Sequence, residues 1–260
     1  MFLTRELFEA IGRAEIAGMR SSVDAVRRLF PDAHADSIEV GGGLAPFTGV
    51  GSPLSKTIAI GISGPATPAD VDRITDFYQS RNAVPRVFVT PFTELAFSKA
   101  LAAAGYSPVS YDNVMIAADP DLHARRDDRI CVATDFSAWA QASVRGFSDH
   151  HHGLHDDSLA RIVGSAGGVI PLEARENGAI VATAGMGVRD GCGSLFAGST
   201  LHEYRNRGWQ LAMIRDRIGR AREAGARIIS AAAEPASVSE RNFHRAGFVT
   251  LYTRCRWDKM

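Results

Sequence analysis

Apolar positions between residues 4 and 30 recur at helical spacing, with Leu7, Phe8, Ile11, Ala14, Val26 and Leu29 on one stripe. Thr4 caps this helix and Pro31 stops it. Ser37 to Val40 and Lys56 to Ile62 have the pattern of strands, with Gly41 to Gly43 and Gly49 to Pro53 as flexible punctuation. Thr67 then caps a second helix that has Pro68 at its first position and Val71, Ile74, Phe77 and Tyr78 turned inward. Arg86 to Thr90 predicts a strand, Glu94 to Ala104 a helix closed by Gly105, and Ser110 to Ala117 another strand. Asp119 to Asp128 is dense in charge and contains Pro120, so the domain boundary is expected there.

The same vocabulary resumes beyond it. Arg129 to Ala133 predicts a strand, and a helix runs from an Asp135 cap to about Ser148. A histidine-rich loop and a short helix near Ser158 to Val163 follow. Val169 to Arg175 and Ala179 to Val188 are strands whose Asn177-Gly178 junction is a hairpin signal, and Asp190-Gly191 turns a second hairpin into Ser194 to Leu201. A helix over Leu211 to Ala224, a strand from Arg227, a helix over Ser237 to Ala246, Gly247 and a last strand from Phe248 complete the chain. The order strand, turn, helix, strand, helix, Gly-aromatic, strand thus occurs twice, offset by roughly 140 residues. Val87 corresponds to Ile228, Gly105-Tyr106 to Gly247-Phe248, and Lys56 to Leu195. Two copies of one α/β unit are expected, in domains 1–122 and 128–260.

Composition adds little to this and excludes much. The chain has 260 residues, 45% of them hydrophobic and 22% charged, enough to build two cores. With 29 basic and 29 acidic residues the formal net charge is zero, which argues against nucleic acid or an anionic membrane as a partner. The charged N-terminus resembles no signal peptide, and no apolar run is long enough to span a bilayer. Cys131, Cys192 and Cys255 are too scattered for a disulfide framework or a metal spacing. Together these predict a cytoplasmic protein with reduced thiols.

Ser199 to Gln210 concentrates the candidate chemistry. An apolar strand, a basic turn with Gly208 and a helix make an anion site, because the first N–H groups of a helix lack partners within it. At Arg205-Asn206-Arg207-Gly208-Trp209-Gln210 the chain resembles the GNAT superfamily of acetyl-coenzyme A-dependent N-acetyltransferases, whose pyrophosphate loop reads Gln/Arg-x-x-Gly-x-Gly/Ala. Gln210 departs from that pattern. Ser239 to Phe248, a helix ending in Gly-Phe, resembles the family's second signature.

The resemblance implies an α/β (α+β) fold: a mixed, mostly antiparallel sheet flanked by helices, acyl-CoA N-acyltransferase-like, in two tandem units. It implies acetyl-CoA as cosubstrate and no metal. The backbone at Thr200 and Leu201 would bind the pantetheine arm, Arg205 to Gln210 the pyrophosphate, and Ser239 and Asn242 would line the far side of the arm. Trp209 either covers the adenine or packs locally. The first copy reads Ser63-Gly-Pro-Ala-Thr-Pro68 at the corresponding turn, without arginine, and is expected to have lost the cofactor. Phe243 stands where family members often carry a tyrosine that protonates the leaving thiolate.

An acceptor ammonium must lose a proton before it attacks. Counting back from the hairpins sets Glu173 opposite Val181, and Val181 near Thr200, so Glu173 is the candidate base. A register slip of one residue would turn it to the other face, and a solvent-facing glutamate is the alternative. His150, His151, His152 and His155 lie among carboxylates and read first as an acceptor-side loop, then as acceptor-contacting or catalytic histidines, and last as a metal site. Arg215, Arg217, Arg220 and Arg222 read mostly as a solvated helix face. The expected activity is acetyl transfer to a primary amine of a small molecule or peptide in a ternary complex. The alternative is a non-catalytic coenzyme A-binding regulatory or interaction protein. A homodimer is possible on either reading.

Overall fold

The computed structural model describes residues 2–147 and 158–260. In chain order the elements are α1 (Arg5–Leu29), β1 (Asp36–Val40), β2 (Gly43–Phe47), α2 (Pro68–Gln79), β3 (Arg86–Val89), α3 (Leu95–Ala103), β4 (Tyr106–Ala117) and α4 (Pro120–His123). They continue with β5 (Ile130–Val132), α5 (Phe136–Phe147), α6 (Ser158–Ser165), β6 (Val169–Glu176), β7 (Ala179–Arg189) and β8 (Cys192–Thr200). Last come α7 (Trp209–Glu223), β9 (Ile228–Ala233), α8 (Val238–Arg245) and β10 (Phe248–Lys259). The fold is the expected mixed, mostly antiparallel sheet flanked by helices. Among the described residues no helix is long and apolar enough to cross a membrane.

The chain divides into two compact units, Met1–Val114 with Thr250–Met260, and Met115–Val249. The sequence reading set the division at 1–122 and 128–260. It differs because β10 pairs antiparallel with β3, Cys255 opposite Val89 and Asp258 opposite Arg86, which draws the end of the chain into the first unit. The charged segment 119–128 is also no linker. Asp119 caps α4 by accepting from Leu122 N at 3.2 Å, and Arg222 bonds Asp121 at 2.8 Å. The buried Asp216 accepts from both Arg126 Nε and Asp127 N, at 3.0 and 3.1 Å.

In the first unit Thr4 caps α1 as its position predicts, accepting from Leu7 N at 3.2 Å. Its core gathers Ile60, Ile74, Tyr78, Val87, Phe97 and Leu101. The strand expected over Lys56 to Ile62 is replaced by two isolated bridges, Thr57 to Val87 and Leu44 to Ile58. The backbone turns left-handed at Ala59 (φ 57°) and Gly61 (φ 83°), which breaks a ladder there. The partner of β1 is instead β2, reached through a two-residue turn at Gly41 and Gly42 with φ of 56° and 71°. Buried at every position and holding Pro46, β2 has no alternation to read. Arg254 is buried between Glu15 (2.8 Å) and Asp112 (3.3 Å) and lies over the Phe88 ring, which Lys56 also approaches at 5.0 Å. Burial, with the Arg254 charge beside it, pulls the Lys56 amine down to about 8.

In the second unit the strand order is β4-β9-β8-β7-β6-β5, antiparallel from β5 to β8 and parallel between β8 and β9. Both hairpins form where expected: Asn177-Gly178 joins β6 to β7 and Asp190-Gly191 joins β7 to β8, all four residues with positive φ. One sheet face, with Leu172, Ala182, Ala184 and Leu195, packs against Trp209, Met213, Ile214 and Ile218 of α7. The other lies under α5, whose buried Trp139 donates its indole N–H to Leu172 O at 2.9 Å. The Gly that ends the repeated helix recurs with the same conformation, φ 83° at Gly105 and 81° at Gly247.

Candidate active site

The site is built around a divergence of strands. β8 and β9 pair in parallel from Cys192–Ile228 to Leu195–Ala231, after which β8 continues to Thr200 and β9 to Ala233 without further pairing. Ala197, at φ 50°, bulges β8 at this point, and the β7–β8 register shifts between Thr183 and Gly185. The strand rejoins β7 beyond the bulge, where Leu201 N donates to Val181 O at 3.0 Å. Thr200 faces the α7 side with its hydroxyl oxygen buried and, among the described residues, without a hydrogen-bond partner.

A short 3-10 turn, His202–Tyr204, leads into the basic loop. Arg205 is spent on architecture: Nε donates to Thr200 O at 3.3 Å and Nη2 to Gly146 O at 3.0 Å, tying the end of β8 to α5. Arg207 is more exposed, lies over the Tyr204 ring and donates to Glu203 O at 3.1 Å. Asn206 and Gly208 adopt φ of 62° and 84°, so the backbone curls into a concave run of N–H groups. Gly208 is the N-cap of α7 and no side chain caps that helix. By contrast α1 and α8 are capped by Thr4 and Ser237, and α2 by a capping box of Thr67 and Asp70.

The remaining sequence-predicted binding residues separate into two groups. Gln210 and Asn242 meet, Nδ2 of Asn242 donating to Oε1 of Gln210 at 2.6 Å, which joins the two signature segments. Ser239 lies part-exposed on the first turn of α8. The Trp209 ring is buried in the core under Arg129, whose guanidinium lies 4.5 Å from its centroid. Of the two expectations for Trp209, the ring packs locally. In the first unit the corresponding donors are already taken. Glu94 accepts from Ala66 N at 3.1 Å, and Asp70 accepts from Thr67 N at 2.9 Å, so carboxylates of the chain itself fill the helix start.

Glu173 is buried, at 2% exposure. It pairs with Thr183, not Val181, because the turn holds only Asn177 and Gly178, setting Glu176 opposite Ala179, and one extra residue then enters β7 between the partners of Ala174 and Arg175. Ala182 rather than Val181 pairs with Thr200, because β8 carries an extra residue at the Ala197 bulge. Cys131, Glu173, Thr183 and Ser199 consequently share one row on the α5 face. Thr183 and Ser199 hydroxyls are 2.9 Å apart, and Ser199 lies against α5 at Ser143 and Gly146. Arg175 Nε donates to Glu173 Oε1 at 2.7 Å, while Glu173 Oε2 is buried without a partner among the described residues. A buried carboxylate oxygen with no donor is costly, and an acceptor ammonium or water would satisfy it.

Three features escaped the sequence reading. Cys131 Sγ lies 3.8 Å from Glu173 Oε1, a proximity set by strand register. Burial, reinforced by that carboxylate, pushes its thiol up, which disfavours a thiolate there. Arg217, expected on a solvated face, is fully buried beneath β8, donating to Gly185 O and Phe196 O, each at 3.1 Å. Phe243 is buried against Phe248 with ring centroids 4.9 Å apart, so the core claims the position of the expected tyrosine. The histidines at 150–155 lie outside the described residues; among those described, no group of residues is arranged to hold a metal ion.

Solved structures share this architecture over nearly the whole chain. A GCN5-related N-acetyltransferase from Kribbella flavida aligns with a TM-score of 0.65 at 16% identity, covering 93% of each chain. A tandem GNAT protein from the clavulanic acid biosynthesis pathway aligns at 0.60 and 11% identity, over 92% of this chain and 86% of its own. An acetyltransferase from the GNAT family of Colwellia psychrerythraea aligns at 0.55 and 12% identity, over 95% of both. No protein-family model and no curated protein matches the chain. The chain has the GNAT acyl-CoA N-acyltransferase fold.

Proposed function

We propose that the chain transfers an acetyl group from acetyl-CoA to a primary amine of a small molecule or peptide, by direct attack in a ternary complex. The observation that carries this reading is the uncapped start of α7, entered through the left-handed Asn206 and Gly208 where β8 leaves β9. Several convergent N–H donors beside a gap in a sheet suit a diphosphate with an extended arm. The fit is supported by the unpartnered Thr200 hydroxyl facing the arm's path.

In this mechanism the N–H groups from Asn206 to Gln210 hold the pyrophosphate, Arg205 N being taken by His202 O at 3.2 Å, with Arg207 adding charge from the loop. Arg205 holds the loop against β8 and α5. Thr200 and Leu201 bind the pantetheine arm along β8, with Ser239 and Asn242 opposite. Glu173, directly or through a water, takes the proton from the acceptor ammonium. The amine nitrogen then bonds to the thioester carbon, the C–S bond breaks, coenzyme A leaves as thiolate and the second proton lost by the nitrogen passes to water. Calorimetry with acetyl-CoA tests the reading: binding is expected, and a Gly208→Glu variant, strained and negatively charged at the turn, should weaken it at least ~10-fold. Absence of binding by the unmodified chain overturns it.

A second reading has its own support. With Phe243 in the core, that position has no proton to give a leaving thiolate, which fits a coenzyme A-binding protein that regulates or interacts without turnover. Tight binding with no thiol release across a panel of amines would select it.

A further inference from the structure

Arg217 is 2% exposed, yet among the described residues no carboxylate bonds its guanidinium. Nε donates to Met213 O at 3.1 Å, one turn back in α7, and Nη1 bridges Gly185 O on β7 and Phe196 O on β8. These two carbonyls flank the bulge at which β8 leaves β9. The only charged group that acts on Arg217 among the described residues is Asp216, whose own carboxylate is bonded by Arg126 and Arg220. β7 and β8 present it only backbone oxygens. Burial lowers its pKa to about 10, with Asp216 pulling the other way, so it keeps its charge at neutral pH.

A buried, uncompensated cation is expensive and needs a reason. Its position suggests one. Nη2 lies 3.4 Å from where a Cβ on Gly198 would be, directly against the bulged stretch of β8. If the proposed acetyl-CoA site is right, the diphosphate sits at residues 205–210 and the arm runs back past Leu201 and Thr200. That path brings the thioester to Gly198 and Ala197. We propose that Arg217 is a positioning residue that fixes the β8 bulge through two carbonyls and sets its positive charge against the sulfur of the bound coenzyme A thioester. When the C–S bond breaks, the electron pair left on sulfur is stabilised by this charge, in a chain whose Phe243 cannot donate a proton. The acceptor ammonium gives one proton to Glu173 and a second, released as the amide forms, to water, so no other co-reactant is needed.

The inference rests on the proposed function, and one experiment separates the two. Coenzyme A binding is measured by calorimetry, and the thiol of the bound molecule is titrated through the ultraviolet absorbance of its thiolate. This is done in the unmodified chain, Arg217→Lys and Arg217→Gln. The bound thiol is expected to ionise about one pH unit or more below that of free coenzyme A, a shift kept by lysine and lost with glutamine. Binding with an unshifted thiol in the unmodified chain, or an equal shift in Arg217→Gln, overturns this inference alone. No binding of coenzyme A overturns the proposed function and the inference with it. If Arg217→Gln does not fold, the comparison of bound with free coenzyme A still decides.

Discussion

Glu173 is the residue on which the proposed chemistry depends most. A glutamine there keeps the shape but cannot accept a proton, so kcat should fall by about 10²- to 10⁴-fold. Because Arg175 is part-exposed and can rehydrate, stability should change little. An unchanged rate with amine substrates retires Glu173 as base. Gly247 makes a separate claim about stability. Its φ of 81° and the His123 ring, which occupies the place a Cβ would take, both resist a side chain. Gly247→Ala should cost ~1–3 kcal/mol, read from the denaturant midpoint. At this scale the sequence was legible where a residue acts through its own backbone conformation, as at Gly208 or Asn177. It was illegible where register decides. A turn of two residues and one residue inserted into β7 together set Glu173 opposite Thr183 instead of Val181, the β5–β6 register sets Cys131 beside it, and no local pattern announces a bulge.

At the scale of elements, the two helix starts explain why one anion site is expected from a repeated unit. α7 begins without a side-chain cap, whereas the start of α2 is filled by Asp70 and Glu94. Glu94→Ala should therefore destabilise the first unit by ~1 kcal/mol, as loss of a charged acceptor does, and leave acetyl-CoA affinity unchanged. A changed affinity would contradict the assignment of the site to α7. Helices with a clean stripe and caps, such as α1 and α2, were readable from the sequence. β2 was not, because complete burial erases alternation, and α7 hid the burial of Arg217 among three other arginines that look alike in sequence. The strand expected at Lys56 to Ile62 has apolar residues for another reason: they fill the core as a loop.

At the scale of the whole molecule, the first unit carries a pH response of its own. In the first, Lys56 has a folded pKa near 8 against 10.5 for an ordinary lysine. Between these values the unfolded chain binds more protons, so this group makes stability rise with pH from about 8 to 10.5, and its cost is fully present below 8. Lys56→Met should flatten that rise in a series of denaturant midpoints; a rise of equal slope in the variant would contradict it. The repeat itself was legible in the sequence through Gly105 and Gly247. The path of β10 was not, since nothing in residues 250–260 says which unit their strand will join.

The most direct test is a calorimetric titration of the whole chain with acetyl-CoA, with stoichiometry as the readout. One molecule should bind per chain, lost or weakened at least ~10-fold in Gly208→Glu and unaffected in Glu94→Ala. Two molecules per chain, none, or binding that Gly208→Glu leaves intact would contradict it.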